Sequence, residues 1–305
     1  MADLRTGVAG LKMENPTMLA SGILGQTGES LLRIVAEGGA GAVVTKSIGI
    51  EPRNGHGSPC LIESDNAMLN AMGLPNPGID DFEKEMIIAI KSGAPVIGSI
   101  FADSPDKFAI LASKMEKFGA HAVELNLSCP HAERYGLDMG SDPDTVRGIV
   151  SAVKRAAKIP VFAKLSPMVP DIASIALAVQ EGGGDAVVAI NTLKAMKIET
   201  ELGMPVLRNR VGGLSGPAIK PVGIRAVYEI ASKVDIPVIG VGGIRTGQDA
   251  LEYIMAGATA VQIGSGVHYR GINVFRKVCS EISESMDAHG YSKLDDIIGL
   301  AGRAK

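Results

Sequence analysis

Apolar positions along this chain follow two alternating patterns: short runs that are apolar throughout, and longer stretches with an apolar residue every three or four positions. Four of the short runs align without gaps: Glu37-GGAGAVVT-Lys46, Lys117-FGAHAVEL-Asn126, Glu181-GGGDAVVA-Ile190 and Met255-AGATAVQI-Gly264. Gly stands third, Ala sixth and Val seventh in each. The order predicts a helix closed by Gly39, Gly119, Gly183 or Gly257 in the left-handed cap conformation, then a tight turn and a buried strand. A second series interleaves with the first: Pro16-TMLAS, Pro95-VIGSI, Pro160-VFAKL and Pro237-VIGVG. Proline suits the first position of a strand, where no ladder donor is needed. The two series predict eight short strands, apolar on both faces as in a parallel sheet covered by helices.

The longer stretches predict those helices. Ser104 is a cap and Pro105 a favoured first-turn residue, and Phe108, Leu111, Ala112 and Met115 follow at helical spacing before Gly119. Val227, Ile230, Ala231 and Val234 repeat the pattern, as do Ala250, Leu251, Ile254 and Met255. Eight alternating β/α units in about 250 residues predict an α/β fold, a (β/α)₈ TIM barrel. A doubly wound sheet would leave the paired fourfold repeat unexplained. Residues 1–305 read as one domain. Long connections follow strand two (47–94), strand four (127–147) and strand six (192–219). All three leave the C-terminal ends of strands, the face on which barrel enzymes carry their sites.

The residues predicted at those ends are Ser21, Lys46, Ser99, Asn126, Lys164, Asn191, Gly242-Gly243 and Gly264-Ser265. Glycine turns after strands seven and eight, with Gly213 to Gly216 as a further loop, are where barrels hold phosphate on backbone N–H groups. Tight turns alone would be the plainer reason for these glycines. Lys46 and Lys164 each end an apolar strand; one such lysine reads as a snorkelling chain, two on the same face as a pair of fixed ammonium groups. Asn126, Asn191 and Asn70 supply the donors and acceptors that a planar, amide-rich ring requires. Cys60, Cys129 and Cys279 are far apart. Of these only Cys129, in Asn126-LSCPH, falls where a pocket is expected, with Pro130 to stiffen it.

Composition narrows the function classes. The 305 residues are 46% hydrophobic with 38 Gly and no Trp, ordinary for a loop-rich α/β enzyme. A net charge of −3 and no basic run argue against nucleic acid as a partner. Met1 to Asn15 lacks an apolar signal core and no stretch approaches a membrane span, so no membrane is expected. Neither G-x-G-x-x-G nor a P-loop occurs, and the histidines and cysteines lack metal-ligand spacing. A reducing cytoplasm is the simplest home.

Over nearly its whole length the chain resembles the class 1 dihydroorotate dehydrogenases, in particular the NAD-linked type. The most specific segments are Thr45-KSIG, Asn70-AMGLPNPG, Asn126-LSCP, Ile190-NTL and Val211-GGLSGPAIKP. The resemblance implies FMN held by Ala20, Ser21, Lys46, Ser47, Ser99, Asn126, Lys164 and Ile190. It places the phosphate end on Gly216, Gly242, Gly243, Gly264 and Ser265. Substrate would meet Lys46, Asn70, Ala71, Met72, Gly73, Leu74, Asn126, Asn191 and Thr192. Cys129 matches the catalytic base, which removes the C5 proton of dihydroorotate while hydride leaves C6. It implies too a separate FAD/iron–sulfur subunit, in a heterotetramer, that carries electrons to NAD. One departure is His131, where the family often has Asn. Cys-Pro-His is similar to the flavin domain of dihydropyrimidine dehydrogenase, which reduces uracil and thymine, and a fumarate-linked type exists within class 1. A phosphate-binding barrel without redox chemistry would explain the glycines but not the lysines, asparagines and cysteine together.

Overall fold

A computed structural model describes residues 2–127 and 139–303. Eight parallel strands close into a barrel in chain order: Thr17–Leu19, Ala42–Val44, Val96–Ile100, Ala122–Asn126, Val161–Leu165, Ala186–Ala189, Val238–Val241 and Ala258–Ile263, the last pairing with the first. These are the eight strands that the two series predict. The opening prolines donate nothing but do accept: the carbonyls of Pro95, Pro160, Pro237 and Pro16 take the amides of Val43, Val123, Val187 and Val261 at 2.8–3.0 Å. Gly39, Gly119, Gly183 and Gly257 all have positive φ, between 78° and 124°.

The barrel gives the sequence repeat its physical reason. Side chains alternate between the two faces of a strand. The repeated alanines, Ala42, Ala122, Ala186 and Ala260, point into the barrel, whereas the valines beside them, Val43, Val123, Val187 and Val261, join the cluster under the helices. Met18, Ile97, Phe162 and Ile239 from the intervening strands occupy the same interior beside the small alanines of the repeat strands. A hairpin formed by Thr6–Val8 and Leu11–Met13 adds Val8 and Met13 to that interior.

The helices form largely where the pattern places them. Ser104 Oγ accepts from Lys107 N at the start of helix Pro105–Lys117, whose Phe108, Leu111, Ala112 and Met115 are fully buried. Helix Gly247–Ala256 buries Ala250, Leu251 and Ile254. Helix Lys220–Ala231 is shorter than the pattern suggests: Val227 and Ile230 are buried within it, but Val234 lies in the connection beyond its Ser232 cap.

The insertions carry structure that the sequence pattern did not reveal. Leu193–Ala195, Gly212–Ser215, Ala67–Asn70 and Leu61–Ser64 form, in that order, a four-stranded antiparallel sheet. Connections from strands two and six are thereby joined on one face. The first insertion is also shorter than 47–94, because helix Ile79–Ala89 occupies part of it.

Candidate active site

The C-terminal face gathers the strand-end residues into a continuous polar chain. Ser47 Oγ lies 3.2 Å from Ser21 Oγ and 2.9 Å from Ser99 Oγ, and accepts from Asn126 Nδ2 at 3.3 Å. Asn126 Oδ1 accepts in turn from Asn191 Nδ2 at 3.2 Å, and Asn191 Oδ1 from Thr192 N at 2.8 Å. Five strand ends are tied by these bonds, so the amides are held in orientation rather than left free to rotate. Ala20 and Ile190 lie buried at the ends of strands one and six, their amides donating to Ile263 O and Val241 O at 3.0 Å each.

The two lysines are both brought to this face, in different settings. Lys164 Nζ donates to Gln262 Oε1 at 3.0 Å and sits 3.7 Å from Glu124 Oε1; Gln262 Nε2 donates to Glu124 Oε2 at 2.6 Å. Alternation explains the meeting: Glu124, Gln262 and Lys164 each follow an interior residue, Ala122, Ala260 or Phe162, by two positions. Lys46 is only 5% exposed, yet among the described residues its amine has no hydrogen-bond or carboxylate partner. Burial alone therefore holds the Lys46 amine below the ordinary lysine range.

Strands seven and eight end in backbone rather than side-chain chemistry. Gly242 and Gly243 have φ of 133° and 70°, which side chains resist. A Cβ at Gly243 would lie 2.7 Å from Gly216 O, so these two loops are in contact. The amides of Gly243, Gly264 and Ser265 donate to no group among the described residues. Gly264 is the informative one. Its φ is ordinary and a Cβ there would meet only Ala20 at 3.5 Å, so no tight turn requires glycine at this place.

The insertion sheet brings up the third group. Asn70 ends a strand and donates from Nδ2 to Gly213 O at 3.3 Å, while a Cβ at Gly213 would collide with Thr192. The segment Ala71, Met72, Gly73 and Leu74 follows, with Gly73 and Leu74 both at positive φ (73° and 55°). The amide of His56 braces it by donating to Met72 O at 3.0 Å. Cys129 and His131 lie outside the described residues. Glu124 and Gln262 were missed from sequence, although each interrupts an otherwise apolar strand and that interruption was a visible signal.

Paired cations and unoccupied backbone amides on the C-terminal rim of a closed barrel define a barrel enzyme that takes an anionic ligand. A model of the dihydroorotate dehydrogenase family matches residues 3–286, and the chain belongs to that family. It is 54% identical over 303 residues to the dihydroorotate dehydrogenase B (NAD(+)) catalytic subunit of Thermoplasma acidophilum, covering 99% of this chain and 100% of that one. The like-named subunit of Methanocaldococcus jannaschii is 50% identical over 302 residues, covering 98% of each chain. DHODH of Eimeria tenella in complex with ferulenol superposes with a TM-score of 0.86 at 24% identity, over 99% of this chain and 89% of that one. That last likeness concerns the fold.

FMN is the cofactor characteristic of this family, and the residues present fit it. The ring's electron-rich edge and the phosphate both call for positive or N–H-donating surroundings. Lys46 and the amides of Gly243, Gly264 and Ser265, all without a partner among the described residues, the tethered Lys164 and the unforced glycine at position 264 answer those needs.

Proposed function

We propose that this chain is the catalytic subunit of an NAD-linked dihydroorotate dehydrogenase, oxidising dihydroorotate to orotate in pyrimidine biosynthesis. The observation that carries the reading is Lys46. An ammonium taken from water costs free energy unless an anion joins it, and this one stands on the rim among oriented amides. Lys46 would serve both the flavin and the substrate as a positive charge. Asn70, Asn126, Asn191 and Thr192 orient the pyrimidine, and Ala71 to Leu74 cover it. Ser21, Ser47, Ser99, Lys164, Ala20 and Ile190 hold the flavin. Its phosphate rests on Gly216, Gly242, Gly243, Gly264 and Ser265.

Bound FMN supplies the hydride acceptor. The chain's own part is acid–base and positional. Cys129 takes the C5 proton as hydride leaves C6, so the substrate loses H⁺ and H⁻ and gains the C5=C6 double bond. A thiol has an ordinary pKa of about 8.5, so its base form is a minority species at neutral pH and depends on the closed, polar site. Bound flavin would pass the two electrons to NAD(+) through a second subunit. We propose that this partner carries FAD and an iron–sulfur cluster in a heterotetramer, because Cys60, Cys129 and Cys279 are too dispersed to build a cluster here. No helix among the described residues is long and apolar enough to cross a membrane.

The test uses the purified, yellow holoprotein. Orotate is expected to perturb the flavin absorbance where uracil does not, and Cys129→Ala to keep its FMN while losing roughly 10²–10⁴-fold in dihydroorotate turnover. Preference for uracil would move the assignment to a pyrimidine reductase, and wild-type turnover by the alanine variant would remove Cys129 from the mechanism.

A further inference from the structure

Gly242 and Gly243 form the turn after strand seven, and two glycines with positive φ have no side chains with which to lock a loop. Their shape is imposed from behind. Tyr253, on helix Gly247–Ala256, is completely buried and runs under strand seven toward this turn. Its slot is made by three glycines. A Cβ at Gly223 would collide with the phenol oxygen, one at Gly240 would lie 2.5 Å from Cδ1, and one at Gly242 would lie 3.1 Å from the oxygen. The hydroxyl donates to Gly242 O at 2.8 Å, with Val241 O and Lys220 O farther away at 3.3 and 3.4 Å. A phenol has one proton, so the Gly242 carbonyl takes it.

The consequence lies on the other side of the peptide. The Gly242–Gly243 peptide is planar, so its C=O and N–H point in opposite directions. Holding the carbonyl toward the helix layer turns the Gly243 N–H away from it, and that N–H donates to nothing among the described residues. The same helix clamps the far side of the loop: Asp249 Oδ2 accepts from Arg245 N and Thr246 N at 2.9 Å each. Burial raises the Tyr253 pKa above the ordinary phenol range, so the hydroxyl stays a donor at physiological pH.

We propose that Tyr253 is a positioning residue for the cofactor's phosphate, acting through the Gly242 carbonyl to aim the Gly243 amide. The proposal rests on the reading that the phosphate lies against the glycine turns of strands seven and eight. Flavin is stripped from the holoprotein, and FMN and riboflavin, which differ only in the phosphate, are titrated back separately by fluorescence quenching. Wild type is expected to prefer FMN strongly. In Tyr253→Phe the FMN Kd rises about tenfold, while the riboflavin Kd stays within about twofold, so the ratio of the two falls. Equal weakening toward both flavins would show a merely structural tyrosine and overturn the proposal, as would no change in either. Equal affinity of the wild-type protein for both flavins overturns the phosphate placement itself, and the proposal with it. Should the phenylalanine variant fail to fold, Tyr253→Met fills the slot with a flexible apolar chain and makes the same comparison.

Discussion

Two lysines on one barrel rim, Lys46 and Lys164, are about equally buried, yet they are supported in opposite ways. Lys164 is anchored from within the barrel, where Gln262 bridges it to Glu124 and the carboxylate stands 3.7 Å from the ammonium. Lys46 has burial without a partner among the described residues. The difference separates two ways to preorganise a cation. An anchored charge is satisfied before any ligand arrives and serves as fixed electrostatics. An unanchored one destabilises the empty site and is relieved only by an anionic ligand, which gains affinity at the expense of stability of the free protein.

The sharpest way to break this comparison is to remove each cation from the flavin-free protein and measure stability by urea unfolding. Lys164→Met strands Glu124 in the barrel interior, and a loss of about 3–5 kcal/mol is expected. Adding Glu124→Leu recovers most of that loss, because removing both members of a buried pair is often neutral; a double variant as unstable as the single one would mean that the pair is no anchor. A smaller effect is expected from Gln262→Leu, about 1–3 kcal/mol, since Glu124 Oε2 then loses its donor. Lys46→Met should have the smallest effect and the opposite sign, a gain in stability near neutral pH, because the buried ammonium is removed.

The Lys46 difference depends on pH in a direction fixed by its lowered pKa. Below the folded-state value both folded and unfolded chains hold the proton, and the wild type carries the whole burial penalty. As pH rises from that value toward the ordinary 10.5, the folded state releases its proton first and the penalty fades. Wild-type stability should therefore climb relative to Lys46→Met across that window. A gap that widens instead would point to a hidden partner for the amine.

Much of the fold was legible because barrel geometry writes itself into the chain. The alanine at the sixth place of each repeat is an interior layer and the valine at the seventh an outer one, so barrel packing recurs along the chain, and the aligned runs with their opening prolines were enough to find the strands. Ser21, Lys46, Ser99, Asn126, Lys164 and Asn191 followed as the residues at which those runs stop. The insertion sheet was not legible. Its strands are three or four residues of mixed polarity, and the register that joins Ala67–Asn70 to Gly212–Ser215 is set between segments more than a hundred residues apart. Gly242 was read for its freedom to turn, and the structure adds a second reason, the room it leaves for Tyr253.

Sequence alone determined where the strands run and which chemistry stands at each strand end, because apolar runs and turn signals act over a few residues. Only the closed barrel decided which of those groups meet. Glu124 and Gln262 are 138 positions apart, and only closure, which pairs the first and last strands, brings that carboxylate and amide together. The same closure left Lys46 with burial and, among the described residues, no counter-charge, a condition that no local pattern encodes.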